Sequence, residues 1–389
     1  MKNLFKEVEF YQVRKATELS CGDVFLSARD PKAGRVITVL SDGLGSGVKA
    51  NVLAAMTAKM ALKFTQSELD MARSAEIMMN ALPICAVRKI GYATYTIVDC
   101  QGRRWVRIVE QGNPRLIYIR DGRVMDLPFE EFGNSEKDYR RVRVSRCVPQ
   151  PEDRIIFFSD GITEAGMGTP RWRLGWRRDG VVEFVQSLLD QEPGISAHAL
   201  VRRIVGEALN KEPDRRAGDD VSCAAVYMRK PRRTMVLSGP PFHAARDREA
   251  AQLLADFDGR TVICGGTSAE IVSRELGREL HTPILRGRSA LPPVSQMEGV
   301  DLVTEGILTL TDALRVLEHG SRAGGRASEQ LVEILRASDV IELVVGTRIN
   351  EAHQDPSLPM ELEIRRNLMK RMKQVLEEKY LKEVNIQTI

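Results

Sequence analysis

Arg35-Val36-Ile37-Thr38-Val39-Leu40-Ser41-Asp42-Gly43-Leu44-Gly45-Ser46-Gly47 decides the reading of this chain. Its first six residues are short, apolar and β-branched, the pattern of a buried strand. From Val48 to Phe64 there is no glycine or proline, and Leu53, Met56, Met60 and Phe64 recur at helical spacing. That spacing predicts a helix with those four residues on its packed face. A strand thus hands over to a helix through a turn carrying one carboxylate and three glycines, which give the backbone room for positive φ and close approach to a ligand. An aspartate at a strand end can offer its carboxylate and a main-chain carbonyl to a hard cation. The same stretch also reads as an ordinary strand-to-helix turn.

Working outward, the signature recurs. Arg154 to Phe158 is an apolar strand that ends in Ser159-Asp160-Gly161. Gly218-Asp219-Asp220-Val221-Ser222 precedes the apolar run Cys223 to Met228, and Cys21-Gly22-Asp23 precedes Val24-Phe25-Leu26. Four strand-end aspartates gathered at one edge would repel one another unless cations lay among them. Oxygen ligands without histidine or cysteine suit Mg²⁺ or Mn²⁺ rather than zinc.

In the order and spacing of these stations the sequence resembles the metal-dependent serine/threonine protein phosphatases, and within them the stage II sporulation protein E branch. The resemblance spans roughly residues 5 to 230, with Ser222 in place of the usual threonine. Glu110-Gln111-Gly112-Asn113-Pro114 is similar to the family's Ala-Gly-His-Pro-Pro turn, without its histidine. The resemblance implies a phosphatase acting on phosphoserine or phosphothreonine of a bacterial regulatory protein of the anti-anti-sigma-like kind. It implies two Mn²⁺ or Mg²⁺ ions, with Asp42 bridging them and the Gly43 carbonyl holding one. Asp160 and Asp219 would bind the metal on the other side, and Asp23 would contribute directly or through water. A metal-bridged hydroxide would attack phosphorus, Asp42, Asp160 and Asp219 forming the catalytic set. Asp220 is a candidate for orienting the water that protonates the leaving group.

At 389 residues, with 43% hydrophobic and 28% charged residues, two soluble domains are expected. The boundary falls at Arg229-Lys230-Pro231-Arg232-Arg233, giving 1–230 and 234–389. The net charge of +4 comes from interleaved acids and bases, which gives no nucleic-acid stripe. No apolar run reaches membrane-spanning length and no signal-like segment opens the chain, so a cytoplasmic protein is expected. Six scattered cysteines without C-x-x-C spacing read as reduced, buried thiols.

Turn dipeptides at Gln101-Gly102 and Asp121-Gly122 imply antiparallel hairpins between strands at 90–98, 104–110, 115–120 and 142–148. A helix is expected over Ser67 to Leu82, with Met71, Ala75 and Met78 on one side. The fold class is α+β: a phosphatase β-sandwich flanked by helices in four αββα layers, plus a smaller C-terminal α/β domain. Trp172, Trp176 and four arginines between Thr169 and Arg178 read either as a solvated loop or as a substrate-facing flap. In the C-terminal domain, strand Thr261–Cys264 leads into Gly265-Gly266-Thr267-Ser268 and a helix, so these four residues are a candidate site for a small anionic ligand. A capping box of Thr267 and Glu270 explains them equally. The last thirty or so residues are expected to form one amphipathic helix, with Ile364, Leu368, Met372 and Val375 docked on their own domain or forming a homodimer seam.

Overall fold

The computed structural model describes residues 4–30, 33–67, 93–132, 141–282, 294–348, 358–380 and 382–389. The chain divides into two compact units, Met1–Lys230 and Pro231–Ile389. The helix expected over Ser67 to Leu82 lies outside the described residues, Ser67 apart.

In the first unit, β1 (Phe5–Val13), β11 (Val221–Arg229), β10 (Arg154–Phe158), β6 (Ile117–Arg120) and β7 (Arg123–Met125) form one antiparallel sheet, in that order. A second contains β2 (Val24–Asp30), β3 (Arg35–Gly43), β4 (Ala93–Gln101), β5 (Trp105–Gln111), β9 (Val142–Cys147) and β8 (Phe129–Phe132). Alternation along each strand gives each sheet two apolar faces. Leu40, Val98 and Ile108 of the second sheet meet Ile155, Phe157, Ala224 and Val226 of the first, making the sandwich core. The far face of the first sheet, including Ile156, Phe158 and Ala225, is covered by the helices Arg177–Gln191 and Ala197–Lys211 through Val185, Leu189, Leu200 and Ile204. The far face of the second packs Ile37, Val39, Tyr95 and Ile97 against α1 (Gly47–Gln66).

The packed face of α1 differs from the expected one. Ala50, Ala54, Ala58 and Ala61 are buried and Met56 is exposed. Small residues win the inner face because the helix lies so close: a Cβ on Gly43 would sit 2.1 Å from the Ala50 carbonyl oxygen. Trp172 and Trp176 are likewise packing residues. Trp176 is buried, and the Lys211 ammonium lies 4.5 Å from the centre of each indole ring. Buried or half-buried, the described cysteines form no disulfide. Burial above all pushes the thiols of Cys21 and Cys223 well above their ordinary value, so both are inert.

The second unit has a sheet with the order β14 (Leu280–His281), β15 (Ser295–Met297), β16 (Val300–Thr304), β13 (Arg260–Cys264), β12 (Arg233–Ser238), β17 (Val340–Val345) and β18 (Glu383–Thr388). From β16 to β18 all neighbours are parallel. In chain order those five strands run 3-2-1-4-5, a doubly wound arrangement. The terminal helix is shorter than expected, Leu358–Glu378, and is followed by the edge strand β18. Leu368, Met369, Met372 and Leu376 of this helix are buried in the core of their own unit, whereas Ile364 is exposed.

Candidate metal centre

Strand register brings the four acidic stations together. Val24 pairs with Ser41, which sets Asp23 beside Asp42 at one end of the second sheet. Phe158 pairs with Cys223, which sets Asp160 beside Asp219 and Asp220 at an end of the first. Asp220 joins the two sheets: its carboxylate oxygens accept the N–H groups of Gly22 at 2.8 Å and Lys15 at 2.9 Å. This buried side chain is therefore a clamp between stations, held by two main-chain donors.

Further bonds fix each station. Ser41 Oγ donates to the Thr94 carbonyl at 2.8 Å, and Asn51 Nδ2 of α1 donates to the Cys21 carbonyl at 2.8 Å. Ser159 N–H donates to the Ser222 carbonyl, and Ser222 N–H to Ser159 Oγ, both at 3.1 Å. The Asp220 N–H donates to Asp219 Oδ1 at 2.9 Å. A Cβ on Gly161 would stand 2.1 Å from the Asp220 carbonyl oxygen. Gly43 and Gly161 are thus required for close backbone approach, while Gly45 and Gly47 supply the left-handed turn, at φ 100° and 72°. The turn at Gly112 is closed by Asn113, whose Nδ2 donates to Thr96 Oγ1 at 3.1 Å.

The electrostatics follow from this crowding. Asp23 is 2% exposed, and neither of its carboxylate oxygens has a hydrogen-bond partner. Burial pushes its carboxyl up to about 7, while the Ser222 and Ser159 hydroxyls oppose the shift. Burial, then the charges of Asp23 and Asp160, push the Asp42 carboxyl up to about 10. Asp160 is raised by burial and then by Asp219. Glu164 is raised by burial and then by Asp160 and Asp219, which adds a carboxylate the sequence reading passed over. Its signal was its place four residues after Asp160, one helical turn on.

These donors fit hard divalent cations. The orphaned Asp23 oxygens need a positive partner, and every candidate ligand is oxygen. Among the described residues no three acidic, histidine or cysteine side chains close around one point. Mg²⁺ and similar ions are ordinarily held by one or two carboxylates with water completing the shell, so pairs such as Asp23–Asp42 and Asp160–Asp219 suffice.

The second candidate site lies in the other unit. Gly265, at φ 137°, is the N-cap of the helix Gly266–Leu276, with no side-chain capping bond. Thr267 is therefore inside the first turn rather than at the N-cap. Ser268 is buried, and its hydroxyl has no partner.

No curated protein sequence matches this chain. Among solved structures, it is similar to the PP2C phosphatase domain with a regulatory-domain fragment of SpoIIE from Bacillus subtilis, at 17% identity and TM-score 0.47, covering 59% of this chain and 64% of that one. It therefore spans less than two thirds of that structure. The RsbU and RsbW domains of a Mycobacterium tuberculosis protein match at 17% identity and TM-score 0.47, covering 66% of this chain and 69% of that one. RsbX in complex with magnesium matches at 20% identity and TM-score 0.38, covering 58% and 96%. A family model, stage II sporulation protein E, matches residues 32–229, which hold the Asp42, Asp160 and Asp219 stations. The chain belongs to the stage II sporulation protein E (SpoIIE) family.

Proposed function

We propose that the first unit is a metal-dependent protein serine/threonine phosphatase acting on a phosphorylated regulatory protein, of the anti-anti-sigma-like kind. The observation that carries this reading is the buried, unpartnered Asp23 carboxylate among three other strand-end acid stations in a chain of this family. Asp23, Asp42 with the Gly43 carbonyl, Asp160 and Asp219 are the residues that would hold two Mg²⁺ or Mn²⁺ ions. Such ions lower the pKa of bound water and neutralise phosphoryl charge. The chain's own part is to fix those carboxylates through backbone contacts, so that little reorganisation is needed at the moment of reaction. Phosphate release from a phosphoserine peptide by the full chain tests this. Activity is expected with Mn²⁺ or Mg²⁺ and is expected to collapse with chelator, in Asp42→Asn and in Asp160→Asn. Full activity under any of those three conditions refutes it.

A second reading concerns the other unit: that it binds a small anionic ligand at Gly265–Ser268 and gates the phosphatase. The unpartnered Ser268 hydroxyl at a helix N-terminus on the carboxyl edge of a doubly wound sheet favours it. A Cβ on Gly266 meets nothing within 4 Å, so Gly266→Val adds bulk without strain. Inorganic phosphate and nucleotides should raise the melting temperature of the wild-type chain and not of this variant; equal shifts refute the site.

A further inference from the structure

Two loops border the acid cluster on the first sheet's side. In the loop from Gly166 to Gly175, Gly175 packs on the turn that follows Asp160: a Cβ there would lie 2.6 Å from the Thr163 carbonyl oxygen and 2.7 Å from Glu164 Cα. The second runs from Glu212 to Gly218 and leads directly into Asp219. Glu212 links them, since its Oε1 accepts the Gly166 N–H at 3.1 Å. The first loop is held by Trp172 and by Trp176, the residue after it, both packed on Lys211. The second contains Asp214 and Arg215 in left-handed backbone, at φ 53° and 56°. Consecutive non-glycine residues in that region are costly and persist where the surroundings enforce them, often beside functional sites.

What these anchored loops present outward is unusual. Leu174 is 73% exposed and Met167 49%, and Arg173, Arg215 and Arg216 are exposed. None of those three arginines makes an ion pair among the described residues, although other arginines of the unit, such as Arg35, Arg120 and Arg229, do. Exposed arginine beside exposed methionine and leucine is the composition of a protein interface rather than of a solvated loop. The charge also has a purpose. A phosphorylated acidic segment approaching a cluster of aspartates is repelled, and a guanidinium rim alongside offsets that repulsion.

We propose that these two loops form a docking rim for a phosphorylated polypeptide whose phosphoserine or phosphothreonine is flanked by acidic residues. An apolar side chain of that partner would cover Met167 and Leu174. This deepens the phosphatase reading and rests on it. The test uses the full chain with two phosphoserine peptides, one acid-flanked and one lysine-flanked, and with p-nitrophenyl phosphate, which has no flanks to dock. In the double variant Arg173→Glu/Arg216→Glu, KM for the acid-flanked peptide should rise at least tenfold. Turnover of p-nitrophenyl phosphate and KM for the lysine-flanked peptide should stay within about twofold. Leu174→Ser, at an exposed position that leaves the fold intact, should raise KM for the acid-flanked peptide severalfold with kcat unchanged. An unchanged KM in both variants overturns the rim, as does a parallel fall on all three substrates in a folded protein. Fluorescence anisotropy of the acid-flanked peptide gives a readout independent of turnover. Binding at least tenfold weaker in the double variant supports the rim even if no substrate is hydrolysed, which would sink only the phosphatase reading. Equal binding rejects the rim whatever the catalysis.

Discussion

Gly161→Ala is the sharpest test of how the acid stations are held. The new methyl would lie 2.1 Å from the Asp220 carbonyl oxygen and 2.9 Å from its carbonyl carbon. Both are main-chain atoms, so no side chain can rotate away. Relieving the clash requires the turn after β10 and the start of β11 to separate by about 1 Å, and overpacking of this kind costs roughly 1–3 kcal/mol. In a unit of this size that corresponds to a melting point lower by about 2–12 °C. The larger consequence is geometric, because Asp160 and Asp219 flank the contact. A misplacement of about 1 Å can cost ~10²-fold in rate. The measurements are thermal unfolding with and without Mn²⁺, and phosphopeptide turnover across a metal titration. The expected result is a folded protein with turnover down about a hundredfold and weaker metal activation. A variant with wild-type melting point, turnover and metal dependence would refute the reasoning, since the backbone contact would then not be what spaces the two carboxylates.

Three further outcomes follow from the same geometry. Asp220→Asn leaves one oxygen for two main-chain donors and removes the charge, so urea denaturation should show a loss of about 1.5–3 kcal/mol, and an unchanged midpoint would deny the clamp. In metal-free protein, the raised carboxyls of Asp23 and Asp42 contribute stability that is complete below about pH 4 and lost as pH rises through about 7 and beyond. The difference in urea midpoint between Asp23→Asn and wild type, in chelator, should therefore widen from pH 4 to pH 8 in favour of the variant; a flat difference rejects the assigned crowding. Gly206→Ala, in the interior of the helix Ala197–Lys211 where a Cβ meets nothing within 4 Å, should stabilise by about 0.5–1 kcal/mol, and destabilisation would show that this helix is not as described.

The stations themselves were legible because strand and turn chemistry are local: an apolar β-branched run ending in Ser-Asp-Gly announces itself. What joins them was not. Asp220 acts on Gly22, and nothing in either stretch encodes a partner some two hundred residues away. The packed face of α1 was misread because hydrophobicity favours Met56 and Met60, whereas close approach to the sheet favours alanine. Trp172 and Trp176 looked like exposed contacts since only the fold brings Lys211 between them. The strand β18 escaped notice because four of its six residues are exposed and its sequence is largely polar. Glu164 was within reach of the helical period and was passed over.

The position of β11 bears on how the first unit is made. This strand pairs with β1 from Phe5↔Arg229 to Val13↔Val221, and with β10 on its other side. An interior strand of that sheet is thus the last of the unit to be synthesised, and its closure with β1 spans almost the whole unit. Contacts so distant in sequence slow folding. Until residue 229 has emerged, β1 and β10 each present an unpaired edge, the kind of surface on which incomplete chains associate wrongly. The same event delivers Asp219 and Asp220, so a nascent chain gains its acid cluster and loses its sticky edges together.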